Sequence, residues 1–388
     1  MIEKISFGLA VFFLFDRILK LVAITHFFQK NKPIAPHIWP TISLIQPITR
    51  GAANLKYNLQ CRFELEYPAK IQHLLVCDLG DIKSQEICQN IKTQYQTVDI
   101  DILTIPSDNI ADKIAKMQYG IAEATGEILC FIDDDIALKP NAMKEMIPYL
   151  LEPGVGATFG LASAISWNNI WSSLMSAFVN NNALLTYIPV TYIIPPFTIT
   201  GHIFAVTRKN FDAANGFNNM QQQINDDHEL AFRLQDIGLT LKQTPIIYRV
   251  SNEFMSFSEY ANQIKRWFVF PRQSMIQGLS IKQKIITYAM SLGLFIPSLS
   301  ALITLIFPSQ ITLLSLLIIL LIHFTVYAYC HLVYLNPLMP INRWPLLLVS
   351  AIITPIQVFF TLFSPNNDII WRGRRLRIAK GGYFEVIE

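Results

Sequence analysis

Three carboxylates in a row, Asp133-Asp134-Asp135, close the apolar run ILCFI in a chain of 388 residues. At a strand end, residues two apart point to the same side. Asp133 and Asp135 are therefore expected to converge while Asp134 turns away. Two hard oxygen donors at that spacing suit a divalent cation already bound to phosphates, such as Mg²⁺ or Mn²⁺. A solvated acidic turn would carry the same letters. Asp78 ends a second apolar run, IQHLLVCD (71–78), and this second acidic strand end favours the functional reading. Further along, Asp226-Asp227 opens the helix-like stretch DDHELAFRLQDI (226–237). One reading is a helix N-cap with a favourable dipole partner. The other is a carboxylate that faces a cleft and takes a proton from an attacking hydroxyl. Gln263, Arg266 and Trp267 fall at i, i+3 and i+4 and share a helix face. Arg offers a fork that matches phosphate oxygens. An amphipathic helix at a membrane surface, with Trp at the interface and Arg snorkelling, has the same pattern.

The elements that must hold these residues follow from the apolar spacing. ISLIQP (42–47), IQHLLVCD (71–78), VDIDILTI (98–105) and EILCFIDDD (127–135) are strand-like, and more polar segments of helical length separate them. That βαβα rhythm predicts an α/β fold with a doubly wound, mostly parallel sheet. Such sheets bind ligands outside the carboxyl ends of their strands, where Asp78 and Asp133–Asp135 are expected. A second helix is predicted over 256–278, kinked or divided at Pro271.

Charge is unevenly spread. The chain is 52% hydrophobic and 15% charged, with mean hydropathy +0.35. The stretches 153–207, 285–342 and 344–367 contain no Asp, Glu, Lys or Arg, and the remainder has ordinary polarity. A purely soluble enzyme, a disordered chain and a disulfide-stapled secreted domain are excluded. A net charge of +3 argues against nucleic acid as partner. Residues 5–28 read as a retained N-terminal anchor, interrupted by Asp16, Arg17 and Lys20, with Asp16 and Arg17 facing protein or each other. Spans are predicted near 285–307, 311–335 and 344–364, punctuated by Pro297, Pro308, Pro337 and Pro340. A basic tail follows, with Arg372, Arg374, Arg375, Arg377 and Lys380. Three full crossings after a cytosolic domain would put that tail outside, against the positive-inside rule. An interfacial or re-entrant segment resolves the parity. The stretch 153–207 is broken by Asn and Pro and reads as a lipid-binding segment at the membrane surface. Trp167 and Trp171, one turn apart, fit an interfacial face, or else a packed core. The five cysteines show no CxxC spacing and read as reduced thiols. His202 and His228 lack metal-ligand spacing and read as hydrogen-bonded structural residues. Gly201 reads as a turn or a point of close backbone approach.

In this order, Asp78, the DxD of Asp133–Asp135, the pair Asp226-Asp227 and the QxxRW of Gln263, Arg266 and Trp267 resemble inverting, membrane-bound glycosyltransferases of the family-2 type. The nearest branch is the ceramide glucosyltransferase-like group. NLQCRFELEYP (58–68), VCDLGD (76–81), TGHIFAVTRKNF (200–211) and WRGRRLRIAKGG (371–382) add to the likeness, which spans about residues 40–388. The resemblance implies a GT-A-type nucleotide-diphospho-sugar transferase domain, a doubly wound mixed sheet, with transmembrane or interfacial helices. It implies that Asp78 contacts the uracil or ribose of a UDP-sugar, with Lys113 of ADKIAKM near the nucleotide. Asp133 and Asp135 would hold the metal on the diphosphate, Asp135 more directly. Asp227 would be the general base, and Gln263, Arg266 and Trp267 would close over diphosphate and acceptor. The chain departs from the group in reading IDDDI where that group reads like CDSG. Its acidic pair is Asp-Asp where Glu-Asp is commoner, and it matches only loosely over 165–198.

The expected organisation is an anchor over 1–30, a transferase domain over 38–280 that includes the 256–280 helix, membrane helices over 285–364 and a tail over 365–388. The expected activity moves a hexose, glucose first, from a UDP-sugar to the hydroxyl of a membrane lipid such as ceramide, a hopanoid or diacylglycerol. The catalytic domain would be cytosolic, at a bacterial inner or plasma membrane. Rival readings are a polyprenyl-phosphate sugar synthase, a polysaccharide synthase, or a non-catalytic scaffold that binds lipid or sugar nucleotide.

Overall fold

The structure, a computed structural model, describes the chain apart from residues 53, 107–111, 221–222, 224, 336–338, 372–373 and 388. Pro337 and Arg372 thus lie outside the described residues. The chain forms two compact units that interleave in sequence. An α/β unit takes Asn31–Ala162, Pro195–Ser251 and Ile370–Glu388, and a helical unit takes Met1–Lys30, Ser163–Ile194 and Asn252–Ile369.

The α/β unit is built on one eight-stranded sheet. Its strands are β1 (Ile42–Pro47), β2 (Ile71–Asp78), β3 (Asp99–Ile105), β4 (Ile128–Ile132), β5 (Ile136–Ala137), β6 (Val155–Ala164), β7 (Ile203–Thr207) and β8 (Thr240–Val250). The order is β3-β2-β1-β4-β7-β6-β8-β5. β1 pairs in parallel with β2 and with β4, and β2 with β3. β7 runs antiparallel to both β4 and β6, and β5 antiparallel to β8. The parallel half is the one that the βαβα rhythm predicts. Beyond β4 the sheet turns antiparallel, so it is mixed. Continuous apolar strands bury both faces. Ile45, Leu129 and Phe131 face one core cluster, while Leu44, Cys130 and Ile132 face the other.

The tail is folded as well. Asp368–Trp371, Arg374–Ile378 and Phe384–Val386 form a three-stranded sheet, and Tyr383 bridges to Gln223. Leu376 and Ile378 point inward, while Arg374, Arg375, Arg377 and Lys380 are exposed. All five cysteines are free thiols, four of them buried.

Among the described residues of the helical unit, three helices are long and apolar enough to cross a membrane: Ile281–Ile306, Gln310–Tyr334 and Ile341–Phe363. Their mean hydropathies are 2.0, 2.4 and 2.2, respectively. The N-terminal helix runs Ile2–Gln29 and buries two of its charges, Arg17 and Lys20. Asp16 pairs with Lys20 at 3.0 Å and with Arg17 at 3.6 Å. Arg17 Nη2 donates to Gly293 O at 3.0 Å. Pro297 has no N–H to offer the carbonyl four residues earlier, so Arg17 satisfies an acceptor that the proline released. Gly293 itself makes room, because a Cβ there would lie 2.5 Å from Asp16 Oδ2.

The uncharged stretch 153–207 is not one segment. It folds as β6, the helix Ile170–Asn182 with its continuation to Val190, and β7. Trp167 packs inward with Tyr327 and Leu347, and Trp171 meets Phe257 at 5.3 Å between ring centroids. Trp167 thus fills the helical core, the second of the two readings left open, while Trp171 is half-buried at its edge. The 256–278 helix continues through Pro271 to Gln273 and breaks at Ser274, three residues later than the proline alone suggests.

Candidate active site

The carboxyl ends of β1, β2 and β4 lie side by side, and the residues just beyond them tie the ends together. Lys116, almost fully buried, donates to Ile48 O at 2.7 Å and pairs with Asp78 Oδ2 at 3.1 Å. Asp78 Oδ1 is buried and has no hydrogen-bond partner, so it is an acceptor open to a ligand's N–H or O–H. Thr49 N–H donates to Asp134 Oδ2.

The acidic triplet sits in the turn from β4 to β5. Asp133 and Asp135 are half-exposed and Asp134 is buried, the alternation expected of residues two apart. The short helix Leu55–Phe63 braces this turn. Asn58 Nδ2 donates to Asp134 O at 2.9 Å. One turn later, Arg62 donates to Gln46 Oε1 at 2.6 Å, to Ile136 O at 2.9 Å and to Asp133 O. Burial lowers the Arg62 pKa to about 10, against the opposing pull of Asp134, Asp135 and Asp133.

Lys113 joins the two acidic groups. Its Nζ lies 2.9 Å from Asp133 Oδ1 and 3.2 Å from Asp226 Oδ2, and it reaches Gly201 O at 3.4 Å. Lys113 and Lys116 are three residues apart on the helix Asp112–Glu123, so one helix face serves both acidic strand ends. Asn225 is the N-cap of the helix Asp226–Asp236, and it has no side-chain cap bond. Asp226 and Asp227 therefore occupy the first turn, not the cap, where the helix dipole still favours negative charge. Asp227 Oδ1 accepts the N–H of His228 at 2.8 Å.

Gly201 packs on that base candidate. A Cβ at this position would lie 2.7 Å from Asp227 Oδ2. The next residue, His202, accepts the Asp133 N–H at 2.9 Å through its carbonyl and meets Tyr248 OH at 3.2 Å through Nδ1. Gly201 is thus a point of close approach, as one of its two readings holds, and what it approaches is Asp227. His202 is hydrogen-bonded, as expected. The ring Nδ1 of His228 is buried without a partner, contrary to expectation, and burial lowers its pKa and keeps the ring neutral.

The electrostatics follow from crowding. Burial, then the neighbouring Asp226, raises the Asp227 pKa to about 7. Burial likewise raises Asp226, with Lys113 opposing. Burial and Asp135 raise Asp134 to about 6. Burial works against the charge on Lys113, but Asp133, Asp226 and Asp227 outweigh it and hold the ammonium protonated.

Asp78, Lys113, Asp133, Asp226 and Asp227 are thereby brought together, with Asp135 beside them. Gln263, Arg266 and Trp267 lie on the helix Phe257–Gln273 of the helical unit, all half-exposed. Sequence reasoning missed Lys116 and Arg62. Arg62 stands inside the quoted NLQCRF and Lys116 one turn beyond Lys113, so position was the only available signal. Among the described residues, no group of three or more His, Cys, Asp or Glu is placed to hold a metal ion by itself.

Comparison with known proteins agrees with this architecture. A probable glycosyltransferase of Bacillus subtilis (strain 168), YdaM, is 21% identical over 245 residues, covering 59% of this chain. The chain spans about half of that relative, 54% of its length. The solved mannosyltransferase PcManGT from Pyrobaculum calidifontis, in complex with GDP-Man and Mn²⁺, superposes with a TM-score of 0.54 at 16% identity. That match covers 93% of this chain and 99% of the other. The likeness establishes a GT-A glycosyltransferase fold. The model of glycosyl transferase family 21 matches residues 8–384, nearly the whole chain, and the protein belongs to that family of glycosyltransferases.

Proposed function

We propose that this glycosyltransferase moves a hexose, glucose first among the candidates, from a UDP-sugar to the hydroxyl of a membrane lipid, with inversion at the anomeric carbon. The observation that carries the reading is the single cluster of Asp78, Asp133, Lys113 and Asp227 at the carboxyl edge of the sheet. Asp78 binds the uracil or ribose. Lys116 holds one of its oxygens and leaves the other to accept from the nucleotide. Asp227, at a pKa of about 7, is poised to take the proton of the attacking hydroxyl near neutral pH. A single displacement then needs no second carboxylate as nucleophile, and an α-linked donor gives a β-glycoside.

Asp133 and Asp135 fit a divalent cation. Both are half-exposed carboxylates two residues apart, hard donors that leave the remaining ligand positions to diphosphate oxygens. Lys113 already sets a positive charge against Asp133. When bound, Mg²⁺ or Mn²⁺ supplies charge neutralisation for the leaving diphosphate. The neighbouring mannosyltransferase, solved with GDP-Man and Mn²⁺, supports a nucleotide sugar and a divalent cation. Lys113 keeps its charge beside the same site throughout. The family pattern assigns Gln263, Arg266 and Trp267 to the diphosphate and acceptor, and we carry that assignment. The exposed apolar side chains of the helical unit support a lipid acceptor over a soluble one, and we assign the α/β unit to the cytosolic face because UDP-sugars are made there.

The test is incubation of purified protein with UDP-glucose, UDP-galactose, UDP-N-acetylglucosamine or GDP-mannose and a lipid panel of ceramide, hopanoid, diacylglycerol and polyprenyl phosphate, read by mass spectrometry. A glycosylated lipid hydroxyl from a UDP-sugar is expected. Product only on polyprenyl phosphate, or only from GDP-mannose, replaces the acceptor or the donor. Asp135→Ala should lose the metal-dependent part of UDP-sugar binding, and an unchanged Mg²⁺ or Mn²⁺ dependence would sink the metal role.

A further inference from the structure

The chain leaves the α/β unit after Ser251 and re-enters it at Ile370. Between these points lie three helices able to cross a membrane. Three full crossings would put the tail on the far side from the sheet. Yet tail and sheet belong to one compact unit, in which Tyr383 bridges to Gln223. The number of crossings between them is therefore even, and one helix stays behind.

Contacts inside the helical unit identify it. The N-terminal helix ends at Gln29, just before the α/β unit begins at Asn31. Near that end, the Phe28 ring stacks on Tyr334 at 4.3 Å, and Tyr334 OH donates to Thr25 Oγ1 at 3.3 Å. The last turn of Gln310–Tyr334 thus lies at the membrane face where the chain enters the α/β unit. Earlier in the N-terminal helix, Ala10 and Phe13 pack with Ile296 and Ile319, and Lys20 Nζ donates to Met290 O at 2.9 Å. From residue 10 to residue 28, the partners therefore climb Gln310–Tyr334 and descend Ile281–Ile306. These two helices run antiparallel across the bilayer, joined by a short turn at Pro308, as an up-and-down pair. The chain is back at its starting face when Pro345–Phe363 begins.

That last helix is tied to the same face at its start and its end, while its middle also accepts from Ser298 of Ile281–Ile306 at Ile352 O, 2.7 Å. At its start, Arg343 donates to Trp167 O and Asn168 O, both at 2.9 Å, a few residues after the end of β6. At its middle, Thr354 Oγ1 meets Tyr260 OH at 2.8 Å. At its end, Arg272 donates to Thr361 O at 2.7 Å and to Leu362 O at 3.1 Å. Tyr260 and Arg272 belong to Phe257–Gln273, which also carries Glu259, Lys265 and Arg266. A helix with that many charges lies at an interface, since each would be costly in the hydrocarbon.

We propose that Pro345–Phe363 does not cross the membrane. It lies within the leaflet on the side of the α/β unit, packed along the charged helix Phe257–Gln273. It presents Phe359, Phe360 and Phe363, which are 50%, 69% and 74% exposed, to the acyl chains of that leaflet. The N-terminal helix, Ile281–Ile306 and Gln310–Tyr334 are the crossing helices. The proposal does not depend on the sugar or acceptor of the reaction.

Single cysteines at exposed positions test it in the full-length protein: Lys139→Cys in the α/β unit, Gln310→Cys, Asn342→Cys and Asn366→Cys. Each is probed with a membrane-impermeant maleimide on sealed vesicles of both orientations, with the wild-type protein as blank. Asn342→Cys and Asn366→Cys should label from the same face as Lys139→Cys, and Gln310→Cys from the opposite face. Asn342→Cys labelling together with Gln310→Cys would make the last helix a span and overturn the proposal. So would Gln310→Cys labelling with Lys139→Cys, or Asn366→Cys labelling opposite to it. A position that labels from neither face until detergent is added lies inside the bilayer and also contradicts the assignment.

Discussion

Asp227, the base we propose, shows what burial and an acidic neighbour do to one carboxylate. Burial and Asp226 hold it near a pKa of about 7, above the ordinary carboxylate range, and a base must be unprotonated to act. The rate of transfer should therefore rise with pH up to about 7 and level off above it, falling about tenfold per unit on the acid side. Asp227→Asn should abolish transfer while leaving UDP binding nearly intact; a variant that stays active would remove Asp227 from the role. Gly201 serves the same residue. Gly201→Ala forces a Cβ toward Asp227 Oδ2 and should lower kcat by about 10²-fold with donor affinity retained. Equal loss in kcat and donor binding would assign Gly201 to folding instead. The carboxylates were legible in the letters because two apolar runs each close on acidic residues, and a parallel sheet brings such strand ends to one edge. Lys116 and Arg62 were not. A buried cation is set by the carbonyls and carboxylates that surround it, and those come from elements distant in sequence.

The helix Leu55–Phe63 carries the acidic turn, and its effect is concentrated in one side chain. Arg62 satisfies Gln46 Oε1, Asp133 O and Ile136 O, and Asn58 adds one bond to Asp134 O. Arg62→Leu should cost about 3–5 kcal/mol, as for a buried charged group removed from its partners. Thermal unfolding in detergent measures this, and an unchanged Tm would show that the turn holds itself. The parallel strands β1 to β4 could be read from sequence, since a short continuous apolar run bounded by polar segments has few other solutions. β6 and β7 could not. They lie in the uncharged 153–207, where a strand buried on both faces and a membrane-surface segment have the same composition. Only tertiary pairing, such as Ile132 opposite Ile203, separates the two.

The whole molecule interleaves its two units, so the tail that reads as a simple basic extension is folded with the α/β unit. The long helices were evident from hydropathy alone. How many of them cross was not, because hydropathy measures length and apolarity but not the side on which a helix ends. At this scale the central claim is one inverting displacement by a lipid hydroxyl, with Asp227 as base. The most direct test is the anomeric configuration of the glycolipid formed from α-linked UDP-glucose, determined by NMR for the wild-type protein and for Asp227→Asn. A β-glycoside is expected from the wild-type protein and none from Asp227→Asn. An α-glycoside, or equal product from the variant, would contradict it.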